Sequence, residues 1–522
     1  MKHWRAPAIL ILVQLGILLL LRADFLTDWD SYLYTYGALR FEPVGLAGGR
    51  WFFTAILGLV WRTVNLLGSV NPDSAWRIFS WVTISVALLN AGLFYRLALR
   101  WLERGPAIVA AAMFISSPLI GLYGSAVMTE TYAIAFLLGA CLLLSSPAIS
   151  WSRAVTAGVL FGLGCAFREP LILLAPLPVG LVLWCGMGKK NTVLTCGASQ
   201  EKTPPGAAEL HSSPAVRWFQ SAAFLLIVPG VFLLNYYFSQ STAADWTEWS
   251  QRWSMGMSRE RLQMVGWLPK MLLGNFIYLV GWLILFSPFV VVTFPEQLRW
   301  IRTHRAVWIW PLVLAVAIYS LGQVLNHSLV FNPRFAIFPG LLLVLPAAAG
   351  LWAKIPAKFQ YPWPIAAAIM LIQFSAVALT GTVLEGYYFA KSRAAKEVYE
   401  SLSLSPDNAL LVPGRLTPAV ELYRKVHLRP WQLIYGGWDF SDKELMQEVE
   451  RSRDTGRAVF LVEPEYWAEK RFRPGQYQAL ENVWNGYPHR PGPIRHFVRL
   501  DLPVRQTPQE FFRRLLNYLF SS

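Results

Sequence analysis

Across residues 1–386 the chain alternates long apolar runs with short turns that carry charge, glycine or proline. A window of about 20 residues, the length needed to cross a hydrocarbon core, finds candidate spans. These fall at 6–22, 76–97, 105–123, 127–146, 153–168, 170–187, 217–238, 269–293, 306–327, 335–351 and 362–386. The pattern predicts a polytopic α-helical membrane protein with about eleven transmembrane helices. Lys2 and Arg5 precede the first run, but "LLLLRADF" offers no small-residue cleavage site, so that run reads as a retained anchor. After residue 387 the periodicity changes. Strand-like runs "NALLVP", "QLIYGG" and "AVFLVEP" alternate with helical patterns at "KSRAAKEVYESL", "TPAVELYRKVH" and "SDKELMQEVERSRDTG". Such alternation predicts a small α/β domain with a mostly parallel sheet. "RHFVRLDL" adds a further strand and "TPQEFFRRLLNYLF" an amphipathic last helix. The expected organisation is a transmembrane domain at 1–386 and an extracytoplasmic domain at 387–522.

Composition agrees. The 522 residues are 55% hydrophobic and 15% charged, with mean hydropathy +0.39. The net charge of +15 is dispersed between apolar runs, which suits loops gripping lipid headgroups better than a nucleic-acid surface. The four cysteines lack paired or metal-ligand spacing. Lysine and arginine gather at residues 2–5, 96–104, 153, 189–202, 299–305 and 354–358, all on one face if the spans alternate. The positive-inside rule makes that face cytoplasmic and places the N-terminus there. The opposite face receives 23–75, "GSAVMTE", "FREP", 239–268, "NHSLVFNPR" and everything after 387. Residues 48–68, "GGRWFFTAILGLVWRTVNLLG", would reverse every downstream cluster if they spanned. Arg50, Trp51, Trp61 and Arg62 instead suit a helix in the outer interface, at headgroup level.

Candidate chemistry gathers on that outer face. Asp28 and Asp30, in "LTDWDSYLYTYGALR", follow the first span; in an extended segment residues i and i+2 point the same way, toward one acceptor or one cation. Two carboxylates in a wet loop need no further reason, but aromatic residues at a membrane surface surround these. Glu130 enters the outer end of an apolar span, where an ionisable group is costly and marks a functional site by default. The structural alternative is a helix start capped by Thr129, with the acid favoured by the dipole. Arg168 and Glu169 fill a turn and could simply pair with each other, leaving Pro170 to open the next helix. Arg334 sits at an outer helix mouth, where it is either a snorkelling anchor or, with Arg168, one of two forks matched to phosphate oxygens. His327 and His211 are lone histidines; only His327, on the outer face, is a weak site candidate. The tail has no GxGxxG, P-loop or GxSxG motif.

With these residues in place, the chain resembles the GT-C glycosyltransferases, in particular the protein O-mannosyltransferase and aminoarabinose-transferase relatives that use polyprenyl-phosphate sugars. The resemblance runs through "DWDSYLYTYGA", "WFFTAILGLVWRTVNLLGS", "AWRIFSWVTISVALLNAGLFYRLALRWL", "AAAMFISSPLIGLYGSAVMTETYAIAFLLGA" and "NPRFAIFPGLLLVLPAAAGL", in order over residues 1–352. It implies an inverting, single-displacement transfer of sugar from a polyprenyl-phosphate donor to a hydroxyl of an extracytoplasmic glycolipid, polysaccharide or protein. Asp30 matches the family's first-loop acid and would be the general base, with Asp28 as alternate; Glu130 would orient the base or acceptor. Arg168 and Arg334 would hold the lipid phosphate. The family's His-Pro-Pro run is replaced here by "GLAGGRWF", which touches acceptor recognition. The oligosaccharyltransferases among such enzymes use a divalent cation and the mannosyltransferases do not. The expectation here is no cofactor, with Mg or Mn on Asp28 and Asp30 as the alternative, because the arginines already supply charge. Rival readings are a lipid or solute transporter or flippase, which predicts inverted repeats that are not seen, and a non-catalytic glycan-binding relative. "NYLFSS" resembles no retrieval signal, so the expected location is a prokaryotic inner membrane.

Overall fold

A segment apolar on every face is stable in a helix surrounded by other helices or lipid, and the first part of the chain folds accordingly. The computed structural model describes residues 5–23, 25–26, 29–42, 50–146, 149–184, 214–238, 268–303, 308–325, 333–384, 390–434, 442–467 and 474–502. Two compact units result: one from Met1–Arg22 and Leu33–Leu384, the other from Ala23–Tyr32 and Glu385–Ser522.

In the first unit, each of the eleven apolar stretches falls on a helix or a helix pair. Among the described residues, three helices are long and apolar enough to cross a membrane: Pro72–Trp101, Trp218–Asn235 and Pro333–Lys354. Arg104–Ile115 and Pro118–Ser125 make a fourth if counted together, and the remaining apolar helices have 10–17 residues. By length and composition, three or four helices among the described residues meet that test, and the expected count of eleven is not confirmed. Several of the apolar stretches are broken, and the breaks have a chemical cause. Expected span 105–123 bends by 57° at Ser116–Ser117, where Ser117 Oγ caps the second helix and Pro118 opens it without an N–H to continue the first. Span 269–293 breaks at Ser287–Pro288, and 170–187 begins as a 3₁₀ turn, Glu169–Leu174, before the helix Pro176–Trp184.

The helices at the centre of this unit are Arg104–Ile115 and Ile337–Lys354, buried along most of their length. Trp151–Phe167 packs between Thr129–Leu144 and Pro214–Phe238. The approach is close because position 162 is glycine: a Cβ there would stand 2.9 Å from Val231 Cβ, a small-residue contact of the kind that brings helices together in lipid. Residues Trp51–Leu67, expected to lie in the interface, form one helix whose buried side carries Phe53, Leu57 and Trp61 while Leu59, Leu66 and Leu67 are exposed. Cys141 and Cys165 are free and buried.

The second unit contains a five-stranded sheet, formed by β1 (Leu410–Val412), β2 (Gln432–Leu433), β3 (Val459–Val462), β4 (His489–Pro491) and β5 (Phe497–Leu500). Their order is β2-β1-β3-β5-β4. β1 runs parallel to β2 and β3, whereas β5 is antiparallel to both β3 and β4, so the sheet is mixed and not mostly parallel. β1 and β3 are apolar throughout and wholly buried, as strands covered on both faces must be. β4 is an exposed edge ending in Pro491, which suits an edge because proline has no N–H for a further ladder. Helices Ala390–Ser401 and Thr417–Val426 match the predicted patterns, and Asp442–Asp454 matches the third; His211 and the last amphipathic run lie outside the described residues.

The first loop contributes to this unit as well. Phe25 N–H donates to Ser392 Oγ at 2.9 Å, and its ring packs on Tyr32 and Tyr399 at centroid distances of 5.8 and 5.3 Å.

Near the sheet, burial, followed by hydrogen bonding to Glu465 and the charges of Glu465, Glu463 and Glu397, pushes the Tyr466 phenol above its ordinary value of 10.0. A raised phenol favours the folded state in full below pH 10 and loses that contribution as pH climbs toward the folded value. The full-length protein should therefore show a falling thermal midpoint of Trp467 fluorescence above pH 10, and Tyr466→Phe should flatten that decline. An equally steep fall in the variant would acquit the phenol.

Candidate functional site

Glu130 stands in the first turn of Thr129–Leu144 and is completely buried. Trp151–Phe167 returns antiparallel and ends at Arg168, whose backbone is extended and whose side chain is 2% exposed. Arg334 lies in the 3₁₀ turn Pro333–Ala336 that leads into Ile337–Lys354. Three helix ends thus deliver these residues to one end of the first unit. Arg168 Nε is 3.2 Å and Arg334 Nε 3.5 Å from the same oxygen, Glu130 Oε1. Both guanidiniums also lie against one ring, Phe335, at 4.6 and 5.8 Å from its centroid.

The pairing is electrostatic more than directional. Neither Glu130 oxygen has a hydrogen-bond partner in the protein, and neither have Arg168 Nε and Nη2. Thr129, considered above as the cap, is the first helical residue; the cap position is Met128, and the buried Thr129 hydroxyl makes no hydrogen bond. A capping role for Thr129 is therefore excluded by the helix start itself.

Glu169 does not pair with its neighbour Arg168. Arg50 reaches it side-on, Nε to Oε1 and Nη2 to Oε2, each at 3.3 Å. Arg50 also donates to the Tyr34 hydroxyl. Expected at headgroup level, Arg50 instead turns inward, from a left-handed backbone (φ 41°) that opens the helix Trp51–Leu67. The sequence carried no signal for this pairing, since "FREP" reads as a self-contained ion pair. Phe53, Tyr132 and Phe167 pack mutually within 6.0 Å, and Tyr34 packs on Phe53 at 4.9 Å, so aromatic rings brace the helices that bear Glu130 and Arg168.

Asp30 belongs to the second unit, in the first turn of the helix Trp29–Arg40. It is helical, where the sequence suggested an extended segment. Asp28 and His327 lie outside the described residues. Among the described residues, one group of three could supply metal-ligand atoms within 4.8 Å of one another: Glu463, Glu465 and His496, in the second unit.

Several basic side chains lie at the other end of the first unit's helices. Arg100 donates to the Leu142 carbonyl, Arg153 to Ser146 Oγ at 2.5 Å, and Lys354 pairs with Glu296. These residues sit where Ala75–Trp101, Trp151–Phe167 and Ile337–Lys354 have their ends remote from the arginine cluster.

Helices arranged in this way carry the GT-C fold. The particular likeness is to ArnT from Cupriavidus metallidurans. Its crystal structure bound to undecaprenyl phosphate superposes with a TM-score of 0.54 and 11% identity, covering 94% of this chain and 97% of that one. The apo structure of the same protein gives 0.53 and 10%, with the same coverage. The oligosaccharyltransferase AglB from Archaeoglobus fulgidus, in complex with an inhibitory peptide and a dolichol-phosphate, scores 0.48 at 12% identity over 97% of this chain and 75% of its own. No protein-family model and no curated protein matches the sequence.

Removing one partner of a buried ion pair strands the other charge, at a cost of about 3–5 kcal/mol. Glu130→Gln leaves Arg168 and Arg334 with no carboxylate between them, so the thermal midpoint of the purified protein should drop sharply. An unchanged midpoint would mean that Glu130 does not act as their counter-ion.

Proposed function

We propose that the protein is a membrane glycosyltransferase that moves a sugar from a polyprenyl-phosphate donor to a hydroxyl of an extracytoplasmic acceptor. The observation that carries this reading is a buried carboxylate, Glu130, held between two guanidiniums, Arg168 and Arg334, with a second pair, Arg50 and Glu169, beside it. Glu169 is matched to Arg50, which leaves Glu130 between two arginines. A lipid phosphate fits, because guanidinium forks suit phosphate oxygens. The ArnT likeness supports that ligand class, since the ArnT crystal carries undecaprenyl phosphate.

In the proposed reaction the acceptor oxygen attacks the anomeric carbon from the face opposite the leaving phosphate. The new C–O bond forms as the bond from carbon to phosphate oxygen breaks, which inverts the configuration in one displacement. Asp30 takes the acceptor proton as general base, supported by its match to the first-loop acid in sequence. Arg168 and Arg334 hold the departing lipid phosphate, whose charge grows as the bond breaks. A phosphate leaves readily, so positive charge is more useful than a strong acid, and no cation is required in this reading. Arg50, Glu169 and Tyr34 fix the turn from which Arg168 projects. The separation of the arginine cluster from the basic helix ends supports an extracytoplasmic site, with those basic ends on the cytoplasmic side of a prokaryotic inner membrane.

Charge-assisted hydrogen bonds are worth about 1.5–3 kcal/mol, so Arg334→Ala should weaken undecaprenyl phosphate binding by roughly tenfold to a hundredfold. Calorimetry or lipid competition would measure it, and an unaltered affinity leaves Arg334 a mere anchor. Asp30→Asn should retain that binding while abolishing transfer from a panel of radiolabelled polyprenyl-phosphate sugars; normal product from the variant removes Asp30 from the mechanism. Chelator treatment of the purified protein should leave transfer intact, and loss of activity restored by Mn²⁺ would overturn the cation-free reading.

A further inference from the structure

Behind Glu130, on the side facing the first helix, lies a small, partly enclosed cavity of about 10 Å³. Gln14, Asn90, Phe114, Tyr123, Glu130 and Thr131 are among its walls. Gln14 is a polar residue in the middle of the apolar helix Arg5–Leu20 and has no solvent exposure. Neither its Nε2 nor its Oε1 has a hydrogen-bond partner in the protein. Asn90 is 2% exposed; its Nδ2 donates to the Thr131 carbonyl at 2.7 Å, which fixes the amide, and its Oδ1 has no partner. The Glu130 carboxylate oxygens are in the same position.

Three buried polar side chains, drawn from three helices, therefore line one cavity with hydrogen-bonding capacity unspent. Leaving such groups dry is costly at membrane depth. The cavity volume is about that of one water-sized sphere, and a buried water needs two to four polar partners. A cation is a poor occupant, because two guanidiniums, Arg168 and Arg334, already lie against the Glu130 carboxylate. We infer that this cavity is an internal binding site for a single water molecule, bridging Gln14 and Asn90 to the Glu130 carboxylate. The water accepts from Gln14 Nε2 and donates to Asn90 Oδ1 and to Glu130. It supplies the directional hydrogen bonds that the two arginines, paired by charge but poorly aligned, do not give. Gln14 and Asn90 are then positioning residues for the ion cluster, acting through the water, and the inference stands whether or not the cluster binds a lipid phosphate.

Synchrotron hydroxyl-radical footprinting of the full-length protein in nanodiscs reads the site directly, because radiolysis of a bound water marks the side chains beside it. Tyr123 and Phe114, although buried, should be oxidised in the wild type, and Gln14→Leu should lose that labelling while exposed residues keep theirs. Absence of labelling in the wild type, or its persistence in the variant, overturns the inference. Should Gln14→Leu fail to fold, experimental density of the wild type at high resolution decides the matter. A peak within hydrogen-bond distance of both Gln14 Nε2 and Asn90 Oδ1 supports the site, and a featureless cavity rejects it.

Discussion

The Glu130 carboxylate between Arg168 and Arg334 is the constraint on which the surrounding architecture depends. Three charges withdrawn from water and lipid hold only if the helix ends that bear them are fixed within a few ångströms. Much of the local design serves that end. The turn at Arg168 leads into the 3₁₀ segment Glu169–Leu174, with Pro170 in its first turn; Arg50 anchors the adjacent Glu169; and Phe335 fills the space beneath both arginines. Aromatic packing through Phe53, Tyr132 and Phe167 turns this electrostatic knot into a rigid corner of the helical unit.

The same constraint explains why the unit tolerates short and broken helices. A helix that ends early exposes backbone groups that lipid cannot satisfy, so the breaks must be capped or covered. At Ser117 the side chain caps the new helix, and Ser116 Oγ bonds back to Ala112 at 2.7 Å. Gln373, on the helix Pro362–Leu384, donates to the carbonyls of Met113 and Phe286, close to two of the breaks. Buried polar side chains here act as local substitutes for solvent.

Much of this was legible in the chain because apolar runs and proline positions report directly on burial and on backbone continuity. The helix positions, the carboxylate at the mouth of Thr129–Leu144, and the arginines at 168 and 334 all follow from one-dimensional pattern. What escaped depends on pairing across the fold. "FREP" looks like a self-contained ion pair until Arg50 arrives from elsewhere, and nothing in "GGRWFF" says that its arginine turns inward. Asp30 read as extended because the acids alternate, yet the helix already includes it. β4 was missed because "HRP" has no β-forming character; its place comes from β5 beside it. Gln14 was passed over because one amide does not disturb a hydropathy window.

The attachment of Ala23–Tyr32 to the second unit also bears on how the molecule is made. Phe25 meets Ser392, 367 positions further along the polypeptide. The segment ahead of Asp30 emerges early from the ribosome, yet its docking partner is synthesised only after the entire helical unit. During biosynthesis this early loop must wait, unanchored, until the distal region has been made and folded, so the order of translation itself delays assembly of the place where Asp30 resides.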